Sequence, residues 1–339
     1  MKRITYISRL SAPLSHEAII AIGINSSRNN QEVGITGLLV YFNKIFFQMM
    51  EGGEQEIDRL FDKIKQDTRH TDVLCLKAEY DISERFFPSW SMKTINLDNT
   101  ADELVRPVKI LLQTVVESHT IIERYTQPTV LKILNSGINP ITVKPSPVEK
   151  IILFADIVSY STISEKRATE NVLLMLNTYF EICCRIIVRN GGEVNKFLGD
   201  GIMANFTPTA ADNAIEACLE IMAELQRLRR SAAPTSPLKL LYSGFGLAQG
   251  TVIEGNMGSP VKMDYTIIGE AVNTAARLEE LTREVRQTLL LTDLVKAGTR
   301  KPWNFTSLGH YSLKGKLKSR EVFTIDHPLV NNFKGKVTV

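Results

Sequence analysis

Cysteine is scarce in this chain, and what there is lacks the spacing of a metal site. The four cysteines, Cys75, Cys183, Cys184 and Cys218, stand among apolar neighbours, where unoxidised core thiols are the usual outcome. A reducing cytoplasm fits that usage. Surplus charge of one sign is missing too: 40 Lys and Arg are dispersed among 37 Asp and Glu, for a net charge of +3. The balance therefore gives no case for a nucleic acid or a membrane surface as partner. No uninterrupted apolar stretch approaches the ~20 residues that cross a bilayer, so no spanning segment is expected. The start, Met1-Lys-Arg-Ile-Thr-Tyr-Ile-Ser8, enters an alternating pattern at once, without the apolar core or small-residue cleavage site of a secretion leader. Before residue 100 there is no nucleophile, metal cluster or phosphate loop.

What is present suffices for two cores, since 339 residues with 44% apolar content exceed the size at which one hydrophobic core stops growing. Arg3 to Ser8 alternates with period two and predicts a strand that holds Tyr6. Ser15 is a good N-cap for a helix to about Asn30, with Ala18, Ile19 and Ile22 inward. Gly37–Phe42 and Ile45–Met50, the latter holding Gln48, flank Asn43-Lys44 as a hairpin. A helix over about Gln55 to Gln66, a strand over Val73 to Tyr80 and an extended segment with Trp90 and Met92 complete a ferredoxin-like βαββαβ order.

From Glu103 to Ile122 the residues Leu104, Val108, Leu111, Val115 and Ile122 keep a heptad rhythm. This reads as a dimer-forming connector, with a helix packed on its own domain as the alternative. Asn139-Pro140 and Lys144-Pro-Ser-Pro147 break the helical periodicity. Beyond them a strand (Lys150 to Phe154), a long helix (about Thr169 to Arg189), a hairpin (Glu193 to Phe206) and a helix (about Ala211 to Arg230) repeat the βαββαβ order, enlarged. The expected fold class is α+β. Two ferredoxin-like domains, 1–97 and 149–326, flank a dimerising helical connector and linker at 98–148, and 327–339 is a C-terminal tail.

Chemistry gathers in the second domain. Asp156 ends the apolar run Ile151-Ile-Leu-Phe154, and Asp200 sits at the glycine-flanked tip of the hairpin. Neighbouring strands bring the two carboxylates together, and close like charges call for a cation between them. Hard divalent ions such as magnesium suit such oxygen ligands together with phosphate. Gly199 and Gly201 leave room for an approaching phosphate. Lys196 is on the face of the strand that reaches toward a bound base or phosphate. Asn273 and Arg277 are spaced i,i+4 and share one helix face, with Val272, Ala275 and Ala276 on the packing side. An always-charged guanidinium there suits charge building on an α-phosphate.

Four ordered motifs, Phe-Ala-Asp156-Ile, Glu-Val-Asn-Lys196-Phe-Leu-Gly-Asp200, Thr266-Ile-Ile-Gly-Glu-Ala-Val-Asn273-Thr-Ala-Ala-Arg277 and Leu-Lys314-Gly-Lys316, make this half resemble the class III nucleotidyl cyclase catalytic domain. The resemblance implies an ATP substrate, cyclic AMP as product and two Mg2+ ions, with Mn2+ as an alternative, on Asp156 and Asp200. It further implies base recognition by Lys196 and Thr266, transition-state roles for Asn273 and Arg277, and phosphate binding by Lys314, with Lys316 as the alternative. An obligatory homodimer would divide each site, the aspartates and Lys196 on one subunit facing Thr266, Asn273 and Arg277 on the other. Thr266 departs from the aspartate common in adenylyl enzymes and keeps guanine open, while Lys196 stands where guanylyl enzymes carry glutamate.

In the first domain Tyr6, Asn30 and Gln48 fall on adjacent elements amid Ile24, Phe46 and Phe47, and polar groups lining an apolar cleft suit a flat heteroaromatic ligand. The set Tyr6-Ile-Ser, Asn29-Asn30, Ile35-Thr-Gly-Leu-Leu, Phe46-Phe-Gln48-Met-Met-Glu-Gly, Arg69-His-Thr-Asp-Val and Trp90-Ser-Met92 resembles a BLUF domain, a flavin-based blue-light sensor. It implies bound FAD or FMN, Asn30 hydrogen-bonded to the isoalloxazine edge, Tyr6 as electron donor, and a change in the hydrogen bonds of Gln48 that Trp90 and Met92 pass on. The pairing is similar to that of the bacterial photoactivated adenylate cyclases. The rival expectation is a light-sensing interaction module whose cyclase-like half binds nucleotide without turnover.

Overall fold

The computed structural model describes residues 1–12, 15–98, 105–259, 261–311 and 319–331. The chain divides into two compact units, Met1–Val143 and Lys144–Val339.

The first unit runs β1 (Lys2–Leu10), α1 (His16–Glu32), β2 (Thr36–Phe42), β3 (Ile45–Gly52), α2 (Glu54–Gln66), β4 (His70–Glu79), β5 (Lys93–Asn96), α3 (Arg106–Tyr125) and α4 (Pro128–Asn135). Its five strands lie in the order β4-β1-β3-β2-β5. The first four pair antiparallel, and β5 joins β2 in parallel. Ser15 caps α1 by accepting from the Ala18 amide, and Asn43 and Lys44 both take positive φ, the conformation a two-residue hairpin turn requires. Central β1 is covered on both faces. Ile4 and Tyr6 pack with Ile19, Ile57 and Phe61 on one side, and Ile7 meets Leu112 and Val116 of α3 on the other.

That second contact corrects the domain plan. The segment expected as a separate connector packs within the first unit: Leu112, Val116 and His119 form the buried face of α3, and Gly137, after α4, lies against Ala78. The heptad residues Val108, Leu111 and Ile122 are nevertheless exposed, Val115 is partly packed, and Leu104 lies outside the described residues. Helix α3 thus has two apolar faces, because its sheet-facing residues interleave with the heptad set.

The second unit runs β6 (Ser146–Ile157), α5 (Tyr160–Lys166), α6 (Thr169–Arg189), β7 (Glu193–Leu198), β8 (Gly201–Phe206), α7 (Ala211–Ser231), β9 (Ser243–Ser259), β10 (Lys262–Ile268), α8 (Glu270–Val285), β11 (Leu289–Thr292), α9 (Asp293–Ala297), β12 (Phe305–Tyr311) and β13 (Arg320–Ile325). The order β12-β13-β11-β9-β6-β8-β7, with β10 paired to β9, contains the same four-strand arrangement at β9-β6-β8-β7.

Parity along β6 decides what covers each side chain. Ile151, Leu153 and Ala155 face the core made with α6 and α7, whereas Ile152 and Phe154 face α8, and Asp156 follows on that same side. Burying each of the Ile151, Ile152 and Leu153 side chains stabilises by roughly 1.5–3 kcal/mol. Helix α6 is long and apolar enough to cross a membrane by composition, yet its Val172, Met175, Tyr179, Ile182, Cys183, Ile186 and Ile187 are buried, as befits a helix that covers a sheet. The expected tail begins later than 327, since Val330 is buried in the core and accepts from the Thr288 hydroxyl at 3.0 Å.

Candidate functional sites

In the first unit the antiparallel register sets Tyr6 directly opposite Gln48. The phenol, 1% exposed, donates a short hydrogen bond to Gln48 Oε1, and Gln48 Nε2 lies 3.5 Å from the buried Met92 Sδ. Burial raises the Tyr6 phenol well above its ordinary value. Asn30, also buried, reaches the Ser91 carbonyl at 3.4 Å.

The structure therefore links Tyr6, Gln48 and Met92 in one chain of contacts and brings Asn30 to Ser91, one residue before Met92. Trp90 stands apart: it is half-exposed and stacks on Phe87 with 5.1 Å between centroids. Ile24 is exposed, contrary to its expected place in the cleft. Phe46 packs with Tyr6, while Phe47 belongs to the α3 face, because strand neighbours point to opposite sides. Two primary amides and a phenol amid apolar side chains match the mixed donor and acceptor edge of an isoalloxazine, so the residues fit a flavin.

Sequence reasoning missed a lock beside this cleft. Fully buried Glu51 accepts from Arg3 Nε at 2.6 Å and from the amides of Phe86 and Phe87 at 2.9 and 3.0 Å. It ties the loop leading to Trp90 onto β3. The signal was the β1–β3 register, which places Arg3 opposite Glu51.

In the second unit β8 pairs with β6 so that Ile202 lies opposite Ala155, and the β7–β8 tip arrives beside Asp156. Gly199 adopts φ 67° in that tip, which glycine takes without a Cβ penalty. Gly201 matters through close approach: a Cβ there would stand 3.3 Å from Asp156 Oδ1. Burial and the hydrogen-bonded Asp156 carboxylate push the Asp200 carboxyl up to about 7. The two aspartates are together, and their mutual repulsion is what a divalent cation relieves. Among the described residues no cluster of three or more His, Cys, Asp or Glu could cage a metal. A pair of carboxylates that leaves other positions to phosphate and water fits magnesium.

Two further charged groups complete this end of the sheet. Arg283 of α8 donates to Asp156 Oδ2 at 2.9 Å and to Glu279 Oε2 at 3.1 Å. Burial pushes the Glu279 carboxyl up to about 7. Neither residue was singled out from sequence, although the two are spaced i,i+4 on α8 just beyond Arg277.

Asn273 is exposed and Arg277 half-buried on the outer face of α8, while Ala271, Ala275 and Leu278 pack inward with Val272 beside them and Ala276 is only half-buried. Among the described residues neither Asn273 nor Arg277 has a hydrogen bond or ion pair to an aspartate of its own chain. Thr266 is buried on β10. Lys196 follows a bulge in β7 and pairs with Asp264 at 2.6 Å, two residues before Thr266 on the same strand face. Lys196 and the Thr266 strand therefore meet within one chain, instead of being divided between subunits as expected. Lys314 and Lys316 lie outside the described residues.

Comparison with known proteins bears on both units. Residues 1–93 match the BLUF family, sensors of blue light using FAD. Residues 143–326 match the adenylate and guanylate cyclase catalytic domain. The chain is 48% identical to a bacterial light-regulated adenylyl cyclase of solved structure, with a TM-score of 0.88 over 96% of this chain and 94% of that one. It is 32% identical over 294 residues, 86% of its length, to photoactivated adenylate cyclase subunit beta of Euglena longa. It is likewise 32% identical over 296 residues to the alpha subunit of Euglena gracilis, again across 86% of this chain. It spans 34% and 29% of those two relatives, about a third of their length. The chain belongs to the adenylate and guanylate cyclase family, and a BLUF domain precedes its cyclase domain.

Proposed function

We propose that this chain, a member of that family with a light-sensor domain ahead of its cyclase domain, is a blue-light-activated adenylate cyclase. It converts ATP to 3′,5′-cyclic AMP and pyrophosphate at sites shared by two copies. The observation that carries the reading is the pair Asp156 and Asp200, brought together in one chain, with Asn273 and Arg277 turned outward on α8 of that same chain.

Ring closure joins the ribose 3′-oxygen to the α-phosphorus and breaks the bond from that phosphorus to the bridging oxygen, so that pyrophosphate leaves. Two Mg2+ or Mn2+ ions held by Asp156 and Asp200 would supply activation of the 3′-hydroxyl and neutralise the leaving group. Arg277, on the partner copy, donates hydrogen bonds to charge developing on the α-phosphate. Asn273, one turn earlier, orients the ribose. Lys196 and Thr266 read the base, the lysine positioned by Asp264, and Lys314 or Lys316 contacts the outer phosphates. Lys196 also supports adenine over guanine, because it offers a donor where guanine needs an acceptor for its own N–H groups.

In the first unit, bound flavin, FAD or FMN, would supply light absorption. Tyr6 gives up an electron, Gln48 re-forms its hydrogen bonds, and Met92 against the Gln48 amide carries the change outward, with Trp90 at the end of the same segment. The exposed α3 residues Val108, Leu111 and Ile122 are the seam for the second copy. Free cysteines, three of them buried, suit the reducing cytoplasm.

Product formation from ATP and from GTP, in darkness and under blue light, tests the reading. Cyclic AMP from ATP, with a higher rate under illumination, is the expected result. Flavin-loaded protein equally active in light and dark would remove the sensor, and absence of any cyclic nucleotide would leave the interaction-module rival.

A further inference from the structure

Asp156 has two oxygens with different surroundings. Oδ1 is turned to the β7–β8 tip, where Gly201 passes so close that a Cβ would stand 3.3 Å away. Oδ2 accepts from Arg283 Nη2 at 2.9 Å. The guanidinium does not act alone, for its Nη1 donates at 3.1 Å to Glu279 Oε2, one helical turn earlier on α8. Glu279 is 5% exposed, and its Oε1 has no hydrogen-bond partner among the described residues.

A buried carboxylate with one oxygen unsatisfied is costly, and the chain makes room for it deliberately. Gly244 lies opposite Asp156 on β9, and a Cβ there would come within 2.8 Å of Glu279 Oε1 and 2.6 Å of Thr282 Oγ1. The arrangement is a relay from Glu279 through Arg283 to Asp156, spanning α8 and β6.

We infer that Arg283, anchored by Glu279, is a positioning residue for Asp156: it occupies Oδ2 and so aims Oδ1 toward Asp200 and the divalent cation. The inference rests on the proposed cyclase reading and deepens it at the metal-ligating carboxylate. Groups around a ligating carboxylate fix its rotamer, and their removal typically weakens metal binding about 10–100-fold. The guanidinium suits the task because its planar fork serves two carboxylates at once, which a lysine ammonium serves less well. The relay also joins two duties of one helix, since α8 carries Asn273 and Arg277 on its outer face and grips Asp156 from its inner one.

The test is Mn2+ binding to the full-length protein with 3′-deoxy-ATP, which lacks the attacking hydroxyl, read from the electron paramagnetic resonance of free Mn2+. Metal-free binding of the same nucleotide is measured alongside. Arg283→Gln is expected to weaken Mn2+ binding about 10–100-fold and leave metal-free nucleotide binding unchanged, a split that loss of folding does not produce. Glu279→Gln is expected to give a smaller loss in the same direction. Arg283→Lys should fall between wild type and Arg283→Gln, and it decides the matter if the other two melt early. Unchanged or tighter Mn2+ binding in Arg283→Gln overturns the inference, because the guanidinium would then be a bystander or a competitor of the cation. Wild-type protein that binds no Mn2+ with nucleotide overturns the cyclase reading itself, a separate failure.

Discussion

The two sheets share one four-strand arrangement and put it to opposite uses. In the first unit the functional groups are interior and neutral: Tyr6, Asn30 and Gln48 are all buried, and the Tyr6–Gln48–Met92 chain closes on itself within one chain. In the second, Asp156 and Asp200 sit at strand ends and Arg277 on an outer helix face, half-exposed and charged, with the exposed amide of Asn273 one turn from Arg277, and on the proposed reading one chain holds only complementary halves. The comparison teaches that topology fixes where side chains converge, while burial and charge decide whether the convergence is complete. A neutral buried network is self-sufficient, whereas a pair of repelling carboxylates waits for a cation and a substrate.

The largest expected effect breaks the second site and spares the first. Arg277→Ala should lower cyclic AMP formation by about 10²–10³, the usual loss of one preorganised donor to a developing oxyanion. The light-induced shift in flavin absorbance should persist, and an equal loss of both signals would contradict the division of labour. Gln48→Leu is the converse. It leaves the buried Tyr6 hydroxyl without its acceptor at a cost of about 1–3 kcal/mol, and the light-to-dark ratio of cyclase activity should fall to one. A retained light response in that variant would remove Gln48 from the sensing step.

The smallest effect is a contrast in pH. Asp200 and Glu279 are pushed up to about 7, above their unfolded values, so the stability they contribute is fully present below about pH 4 and lost as pH rises through 7. Burial holds His70 below its ordinary value, and its contribution runs the other way, lost as pH falls below about 6.5. In chelator, melting of the cyclase unit should drop from pH 5 to 8 and recover with Mg2+, while the flavin unit gains over the same range. Parallel shifts of both units would contradict the assignment.

Much of this was legible locally. The Asn43-Lys44 turn, the Ser15 cap and the bounds of α6 follow from period, capping and turn chemistry, which depend on neighbours in sequence. The aspartate pair was legible because Asp156 ends an apolar strand and Asp200 stands at the tip of a hairpin, one arm of which pairs with that strand. Arg283 was not, since its meaning comes from α8 lying over β6, a contact between residues 127 apart in sequence. The Arg3–Glu51 lock was hidden for the same reason. In helix α3 the periodicity was legible only in part: the heptad residues Val108, Leu111 and Ile122 are exposed, but a second apolar face, Leu112 and Val116, interleaves with them and holds the helix to the sheet. The bulge in β7 likewise precedes Lys196 and sends it to Asp264, an outcome strict alternation does not contain.

Sharing of each catalytic site between two chains is tested most directly by complementation. Asp156→Ala and Arg277→Ala chains, each inactive alone, are co-expressed and the mixed population is assayed for cyclic AMP. Random pairing puts both lesions in one site of each mixed dimer and leaves the other intact, so about a quarter of wild-type activity should return. A mixture as inactive as either variant alone would contradict the account.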